Sequence, residues 1–328
     1  MQVLLTDTAF TTFADRLQGM RQIEWVRLAA AEELRLGERD VGAGEVSPEV
    51  AWATADMFYS GLLRPFFRLS LECPSMRWLH SPAAGLDMPG YRELLTNGVR
   101  LTTSHVNRIP IAEYVMSAVL RQYQRPEEWQ SAQAAKVWRH HEFREVYGTT
   151  WLIIGLGSIG AEVAVRARAF GARVLGVRRH PAGDEPVDEM LAPGAVTDAL
   201  PGCDVVVLAA PASRQTRHLV DATFLARMPE GSVLINIARG SLVDEAALLV
   251  ALDRGVPEAA ILDVFETEPL PADSPLWTHP RVVVTPHSSA GGTGRLVRAA
   301  DLFLDNLGRY RSGAPLLNEI TLSDLPDS

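Results

Sequence analysis

The stretch Trp151-Leu-Ile-Ile-Gly155-Leu-Gly157-Ser-Ile-Gly160 decides how the rest of the chain is read. Four apolar residues run directly into a Gly-x-Gly-x-x-Gly turn, and residues 161–170 continue with helix-forming composition and no breaker. Strand, glycine turn and helix therefore come in the order that a dinucleotide site requires. Gly155 makes the turn tight, Gly157 lets the backbone approach a pyrophosphate, and Gly160 lets the helix pack close to the strand. The helix N-terminus then offers free N–H groups and the positive end of its dipole to the phosphates. A second strand, Arg173 to Val177, follows the helix at Gly171.

Downstream, the α/β alternation continues. Residues 204–210 and 232–238 are apolar runs of the kind found in strands buried on both faces. Residues 259–264 and 281–285 are two further strand candidates. Residues 245–254 read as a helix closed by Gly255, and 295–310 as a final amphipathic helix. Upstream, residues 3–5, 23–26 and 76–79 read as strands, with Phe58-Tyr59 ending another. Residues 110–123 read as a long helix with Pro110 near its start. Residues 1–103 thus form a small α/β unit without a phosphate loop of its own. Its loop Ser81-Pro-Ala-Ala-Gly-Leu-Asp87 follows a strand end, where small residues let backbone N–H groups face an anion; locally, a plain surface turn fits it equally. Residues 124–148 are polar but hold Trp129 and Trp138 among charges, which reads either as a contact surface or as burial within the subunit.

The 328 residues are 47% hydrophobic and 22% charged, an ordinary globular composition with length enough for two domains. No apolar run reaches the ~20 residues of a membrane span. The start, Met1 to Asp7, has no basic segment ahead of an apolar signal core. Cys73 and Cys203 are far apart and lack metal-like spacing, so no metal site and a reduced, cytoplasmic setting are expected. A net charge of −9 argues against broad nucleic-acid binding. The single lysine, Lys136, follows Ala135, which excludes a Walker A loop. Position 132 is Ala, which excludes the Tyr–Lys pair of a short-chain dehydrogenase.

Three strand ends each carry a polar residue just past apolar sequence: Arg239, Glu268 and His287. On the sheet marked by the glycine loop, all three fall on the carboxyl edge, the ligand side. An arginine grips a carboxylate through two parallel hydrogen bonds. A histidine exchanges a proton near neutral pH, and a carboxylate beside it orients the ring and favours its protonated form. Taken singly, each has a plainer explanation as a turn cap or a hydrogen-bonded loop residue; their joint placement favours a site.

These motifs resemble those of the D-isomer-specific 2-hydroxyacid dehydrogenase family, and in particular its glyoxylate/hydroxypyruvate reductase-like members. The matching segments are 155–160, 203–211 with Thr216-Arg-His218, 236–244, 263–270 and Thr285-Pro-His287, in order. Arg239 and Glu268 are 29 positions apart, Glu268 and His287 19. Residues 1–100 match loosely, apart from the loop at 82–87; Ile111-Ala-Glu113 also matches.

The resemblance implies an α/β protein of two domains. A Rossmann-type doubly wound parallel sheet, residues 104–292, would be inserted into a smaller flavodoxin-like α/β substrate domain of residues 1–103 and 293–328. The active site would lie in the cleft between them. The implied activity is hydride transfer between NAD(P)H and a small 2-oxo acid or D-2-hydroxy acid. Arg239 would hold the substrate's carboxylate and carbonyl oxygen, His287 would donate the proton, and Glu268 would be its partner. The Ala84–Gly85 backbone would bind the carboxylate, and Asn107 would lie near the substrate. The implied cofactor contacts are Gly155, Gly157, Ser158, Ile159 and Gly160, with Pro211, Ile237, Ala238 and His287, and Asp263 at the nicotinamide carboxamide. A homodimer, formed mainly through the cofactor domain and the Trp129–Trp138 segment, is implied as well.

Two departures bear on these expectations. Ala83 replaces the first glycine of the family's carboxylate loop. At the end of the second cofactor strand, NAD-using members resemble Val-x-x-Tyr-Asp, whereas this chain has Val174-Leu-Gly-Val-Arg178-Arg179-His180. An acid there binds the ribose hydroxyls, and two guanidinium groups suit a 2′-phosphate instead. NADP(H) is therefore expected in preference to NAD(H), which stays possible. The competing readings are a cofactor-sensing, corepressor-like binding protein on the same fold and a formate-oxidising enzyme. The complete Arg239, Glu268 and His287 set argues against the first. Glu268 argues against the second, which resembles a His paired with Gln.

Overall fold

A computed structural model describes residues 1–86, 88 and 90–325. Asp87 of the small-residue loop and the last three positions of the expected substrate domain lie outside the described residues. The chain forms two compact units, one of Met1–Val106 with the segment from Thr293, the other of Asn107–Gly292.

The first unit contains β1 (Gln2–Thr6), β2 (Glu24–Ala30), β3 (Glu33–Leu36), β4 (Arg39–Val41), β5 (Val50–Trp52), β6 (Trp78–His80) and β7 (Arg100–Thr102). Five strands run parallel in the order β2-β1-β5-β6-β7, the doubly wound order of flavodoxin-like folds. β3 and β4 extend the sheet antiparallel beyond β2, and the strand Glu319–Ile320 pairs antiparallel with β7. All residues of β5 and β6 are buried, as strands covered on both faces must be. On one face Trp52 and Trp78 stack on Phe303 of the helix Arg295–Ser312, with ring centroids 4.3 and 5.6 Å apart. On the other, Leu79 and Leu101 pack with Phe66, Phe67 and Tyr91.

Phe58-Tyr59 does not end a strand. The pair lies in a helical turn, Met57–Ser60, closed by Gly61 at φ 74°, and both rings are exposed. Aromatic β-propensity expresses fit to a half-buried pleated surface, and no such surface is present there. The strand in this region is Val50-Ala-Trp52, held between β1 and β6.

The second unit contains β8 (Thr150–Ile154), β9 (Arg173–Val177), β10 (Glu189–Leu191), β11 (Val205–Leu208), β12 (Val233–Asn236), β13 (Ala259–Leu262) and β14 (Val282–Val284). All seven are parallel, in the order β10-β9-β8-β11-β12-β13-β14. The order reverses between β8 and β11, the crevice where open α/β sheets take their ligands. Every residue of β11, β12 and β13 is buried. One face packs against Val163, Ala164 and Ala167 of the helix Ser158–Ala169 and Val115 and Val119 of the helix Arg108–Gln124. The other packs against Phe224, Leu248 and Leu252. Among the described residues, no helix is long and apolar enough to cross a membrane.

Candidate active site

The glycine turn separates internal demands from external ones. Gly155 has φ 104°, and a Cβ on it would lie 2.4 Å from the Ala210 nitrogen. A Cβ on Gly160 would lie 2.0 Å from the Gly155 carbonyl oxygen. Both glycines are therefore required by the chain's own backbone. Gly157 is not: a Cβ there meets nothing within 4 Å. It also caps the helix Ser158–Ala169 without a side-chain hydrogen bond, so no capping side chain takes up the first-turn N–H groups of Ser158, Ile159 and Gly160. A floor kept bare in front of such N–H groups fits a pyrophosphate. After β11, the Pro211 carbonyl accepts from Thr216 Oγ1 at 2.8 Å, which shapes the loop beside the switch point.

At the end of β9 the two arginines already have partners. Arg178 Nη1 lies 3.2 Å from Glu185 Oε1, and Arg179 Nη2 donates to Gln215 Oε1 at 2.6 Å. These partners are 7 and 36 positions away, and no motif in the sequence points to either.

β12, β13 and β14 deliver Arg239, Glu268 and His287 just past their carboxyl ends. The buried Asn236 shapes the first of these loops: its Nδ2 donates to the Arg239 carbonyl at 2.9 Å, and its Oδ1 accepts from Ala238 N–H at 3.0 Å. Ile237 and Ala238 are buried within that link, and Arg239 Nη1 donates to the Ala238 carbonyl at 2.7 Å. A Cβ on Gly240 would sit 1.8 Å from the Phe265 carbonyl carbon, so the loops after β12 and β13 touch backbone to backbone. Glu268 belongs to that second loop. Its Oε1 accepts from Phe265 N–H at 3.0 Å, and its Oε2 lies 2.8 Å from His287 Nδ1. With Nδ1 donating to the carboxylate, Nε2 is the ring nitrogen left to face a substrate.

His287 itself sits in the left-handed region, at φ 49°, and its N–H donates to the Asp263 carbonyl at 2.8 Å. The buried Asp263 carboxylate holds the rest of this loop. Its Oδ1 accepts from Thr285 Oγ1 at 2.6 Å, Ser288 N–H at 2.9 Å and Ser289 N–H at 3.1 Å, and its Oδ2 from Ser289 N–H at 3.0 Å. Oδ2 keeps room for an additional donor such as an amide. Tyr114 Oη, 2.8 Å from Thr285 Oγ1, extends the network, and burial raises the Tyr114 pKa.

A second histidine–carboxylate pair stands two positions from Glu268. His218 Nε2 lies 2.8 Å from Glu266 Oε1, and Glu266 N–H donates to Glu245 Oε1 at 2.8 Å. Burial pushes the Glu245 carboxyl up. His218, of the Thr216-Arg-His218 match, has a left-handed backbone, at φ 48°.

The remaining expected residues are placed as follows. Ala83 N–H donates to Ser81 Oγ at 3.2 Å and the Ala83 carbonyl accepts from Ser104 N–H at 3.1 Å. An anion reading of this loop therefore rests on the next two N–H groups, of Ala84 and Gly85, at the carboxyl end of β6. Asn107 precedes the helix Arg108–Gln124 in the second unit, and its carbonyl accepts from Ile111 N–H at 3.1 Å. Among the described residues, no cluster of three or more His, Cys, Asp or Glu could hold a metal ion.

Residues 114–289 match the family model described as D-isomer specific 2-hydroxyacid dehydrogenase, NAD binding domain. This chain belongs to that family. The glyoxylate/hydroxypyruvate reductase A of Klebsiella pneumoniae (strain 342) is 32% identical over 208 residues, 63% of this chain and 66% of that protein. The chain thus spans just under two thirds of the length of this curated relative. A D-isomer specific 2-hydroxyacid dehydrogenase family protein from Aeromonas salmonicida is 28% identical, with 97% of this chain and 98% of that one covered at a TM-score of 0.80. An NADPH-dependent glyoxylate/hydroxypyruvate reductase from Sinorhizobium meliloti, solved with NADP and sulfate, is 26% identical, with coverage of 97% and 98% and a TM-score of 0.74.

Proposed function

We propose that this protein is an oxidoreductase that transfers a hydride between NADP(H) and a small 2-oxo acid or D-2-hydroxy acid of the glyoxylate or hydroxypyruvate type. The observation that carries the proposal is the 2.8 Å contact of His287 Nδ1 with Glu268 Oε2, on the same sheet edge as Arg239 and the bare Gly157 turn. Asn107–Gly292 is the dinucleotide-binding unit and the other unit binds substrate.

The nicotinamide, when bound, supplies or receives the hydride. Arg239 grips the substrate carboxylate and the carbonyl oxygen. In reduction, His287 Nε2–H gives its proton to that oxygen as the carbonyl carbon gains the hydride, and the ring ends neutral. Glu268 keeps the proton on Nδ1, so Nε2 is the atom that cycles. Asp263 holds the His287 loop and offers Oδ2 to the carboxamide. An absorbance assay over a panel of 2-oxo acids, with kcat/KM compared for NADPH and NADH, tests the reading. Loss of NADPH oxidation with every acid would overturn it.

The preference for the phosphorylated cofactor rests on Arg178 and Arg179. Arg178→Asp should raise KM for NADPH about ten- to a hundredfold, the value of one charge-assisted hydrogen bond, and leave NADH use equal or better. Higher kcat/KM with NADH in the unmodified protein would refute the preference. The assembly is a homodimer built on the second unit, where Trp138 is 93% exposed and Trp129, Val137 and Phe143 are exposed with it. A groove lined by Met116, Leu120, Pro126 and Phe170 lies on that unit. Both cysteines are free, in keeping with a reduced, cytoplasmic setting.

A further inference from the structure

At the carboxyl end of β9, where the cofactor's 2′-phosphate is expected, a carboxylate of the chain itself already stands among the donors. Glu185 Oε1 is 3.2 Å from Arg178 Nη1 and accepts from Ala182 N–H at 2.6 Å; Oε2 accepts from Gly183 N–H at 2.9 Å. The Glu185 side chain is 4% exposed, whereas that of Arg178 is 42% exposed. The Ala182 N–H foremost, with the Gly183 N–H and the Arg178 charge adding to it, holds this carboxyl below the usual range, so it is ionised at neutral pH. Arg179 differs, because its partner Gln215 is neutral.

Two consequences follow from a fixed, covered anion at this place. The Arg178 charge is matched before any ligand arrives. A phosphate that reaches the exposed side of the Arg178 guanidinium also stands near a second negative charge that cannot swing away into water, because three donors hold it. Resting on the proposed use of NADP(H), we propose that Glu185 is a cofactor-selectivity residue: its carboxylate braces the turn 182–185 and Arg178, and its charge restrains the preference of this chain for the 2′-phosphate. Like charges roughly 6 Å apart across a protein surface weaken binding by about three- to tenfold.

The test is calorimetric titration of the full chain with adenosine 2′,5′-bisphosphate and with AMP, which needs no catalysis. Glu185→Gln keeps the length of the side chain and removes the charge. The bisphosphate should bind about three- to tenfold more tightly to this variant, with AMP unchanged. Glu185→Asp keeps the charge and shortens the brace, and should show no gain. Unchanged or weaker bisphosphate binding by Glu185→Gln, an equal shift for both ligands, or an equal gain in Glu185→Asp would overturn the proposal. Failure of the cofactor reading looks different: the unmodified chain would bind neither ligand, or both alike.

Discussion

The glycine turn allows stability and ligand binding to be separated with two single-methyl substitutions. Gly157 has φ −80° and ψ −165°, an extended conformation open to any residue, and its Cβ would meet nothing within 4 Å. Gly157→Ala should therefore leave folding stability within ~0.5 kcal/mol of the unmodified chain. Gly160→Ala places a methyl group 2.0 Å from a carbonyl oxygen and 3.2 Å from Ile153 Cγ2, and the first of these is backbone that cannot rotate away. Overpacking of this kind costs about 1–3 kcal/mol. For a unit of this size that lowers the melting temperature by roughly 2–12 °C. Nucleotide binding should rank the variants the other way. Gly157→Ala puts the methyl where the pyrophosphate approaches, and the loss of one N–H contact to a charged group, about 1.5–3 kcal/mol, weakens NADPH about ten- to a hundredfold. Thermal unfolding followed by far-ultraviolet circular dichroism reads the first effect, and fluorescence titration with NADPH reads the second. Wild-type NADPH affinity in Gly157→Ala, or wild-type melting of Gly160→Ala, would refute the division of labour argued from these distances.

Further outcomes follow from the same geometry. His287→Asn should lower kcat by roughly 10²–10⁴-fold while NADPH still binds, and Glu268→Gln should lower kcat with little change in cofactor affinity, because the Nδ1 contact at 2.8 Å loses its charged acceptor; near-normal turnover in His287→Asn would sink the assignment. His80 is buried on β6, and that burial lowers its pKa to about 3. The folded state therefore keeps it neutral while the unfolded chain protonates it below about pH 6.5, so stability is complete above that pH and declines toward about pH 3, by at most ~1.4 kcal/mol per unit. Urea midpoints at descending pH should fall more steeply for the unmodified chain than for His80→Gln, and equal slopes would count against this account. Light scattering should give twice the 35.8 kDa chain mass, and Trp138→Arg should shift it toward the single-chain value; a single-chain mass for the unmodified protein would end the dimer proposal.

The features legible in the sequence share one physical property. β11, β12 and β13 are buried on both faces, so each reads as an unbroken apolar run, and charged residues in the loops past such runs fall on the ligand edge. Arg239 and Glu268, in the loops after β12 and β13, stand out by this rule; His287 follows β14, which is only partly buried, and stands out by the apolar run Val282-Val-Val284 ahead of it. β5 escapes it because three residues, Val50-Ala-Trp52, carry no period of their own and owe their conformation to β1 and β6. The β3–β4 hairpin escapes for a related reason: Leu34 and Val41 bury only one side of a short ribbon. The exposed aromatic pair Phe58-Tyr59 misleads because propensity carries no information about burial.

Partners are less legible than the residues they hold, and the site depends on them. Asn236 and Gly240 fix the Arg239 loop, one through two hydrogen bonds to its own neighbours, the other by its missing side chain. Neither is a charge at a strand end, so neither signals chemistry by type. Glu185 is the sharper case. In sequence it is one acid in the stretch Asp184-Glu-Pro-Val-Asp188, with nothing to single it out. Only the fold of the turn brings it onto Arg178 and aligns two backbone N–H groups on it. Composition counts Arg178 and Arg179 as two equal positive charges. The structure makes them unequal: a carboxylate offsets the charge of Arg178, whereas an amide leaves that of Arg179 intact. The positive potential offered to a phosphate at this edge is therefore set by the partners as much as by the arginines.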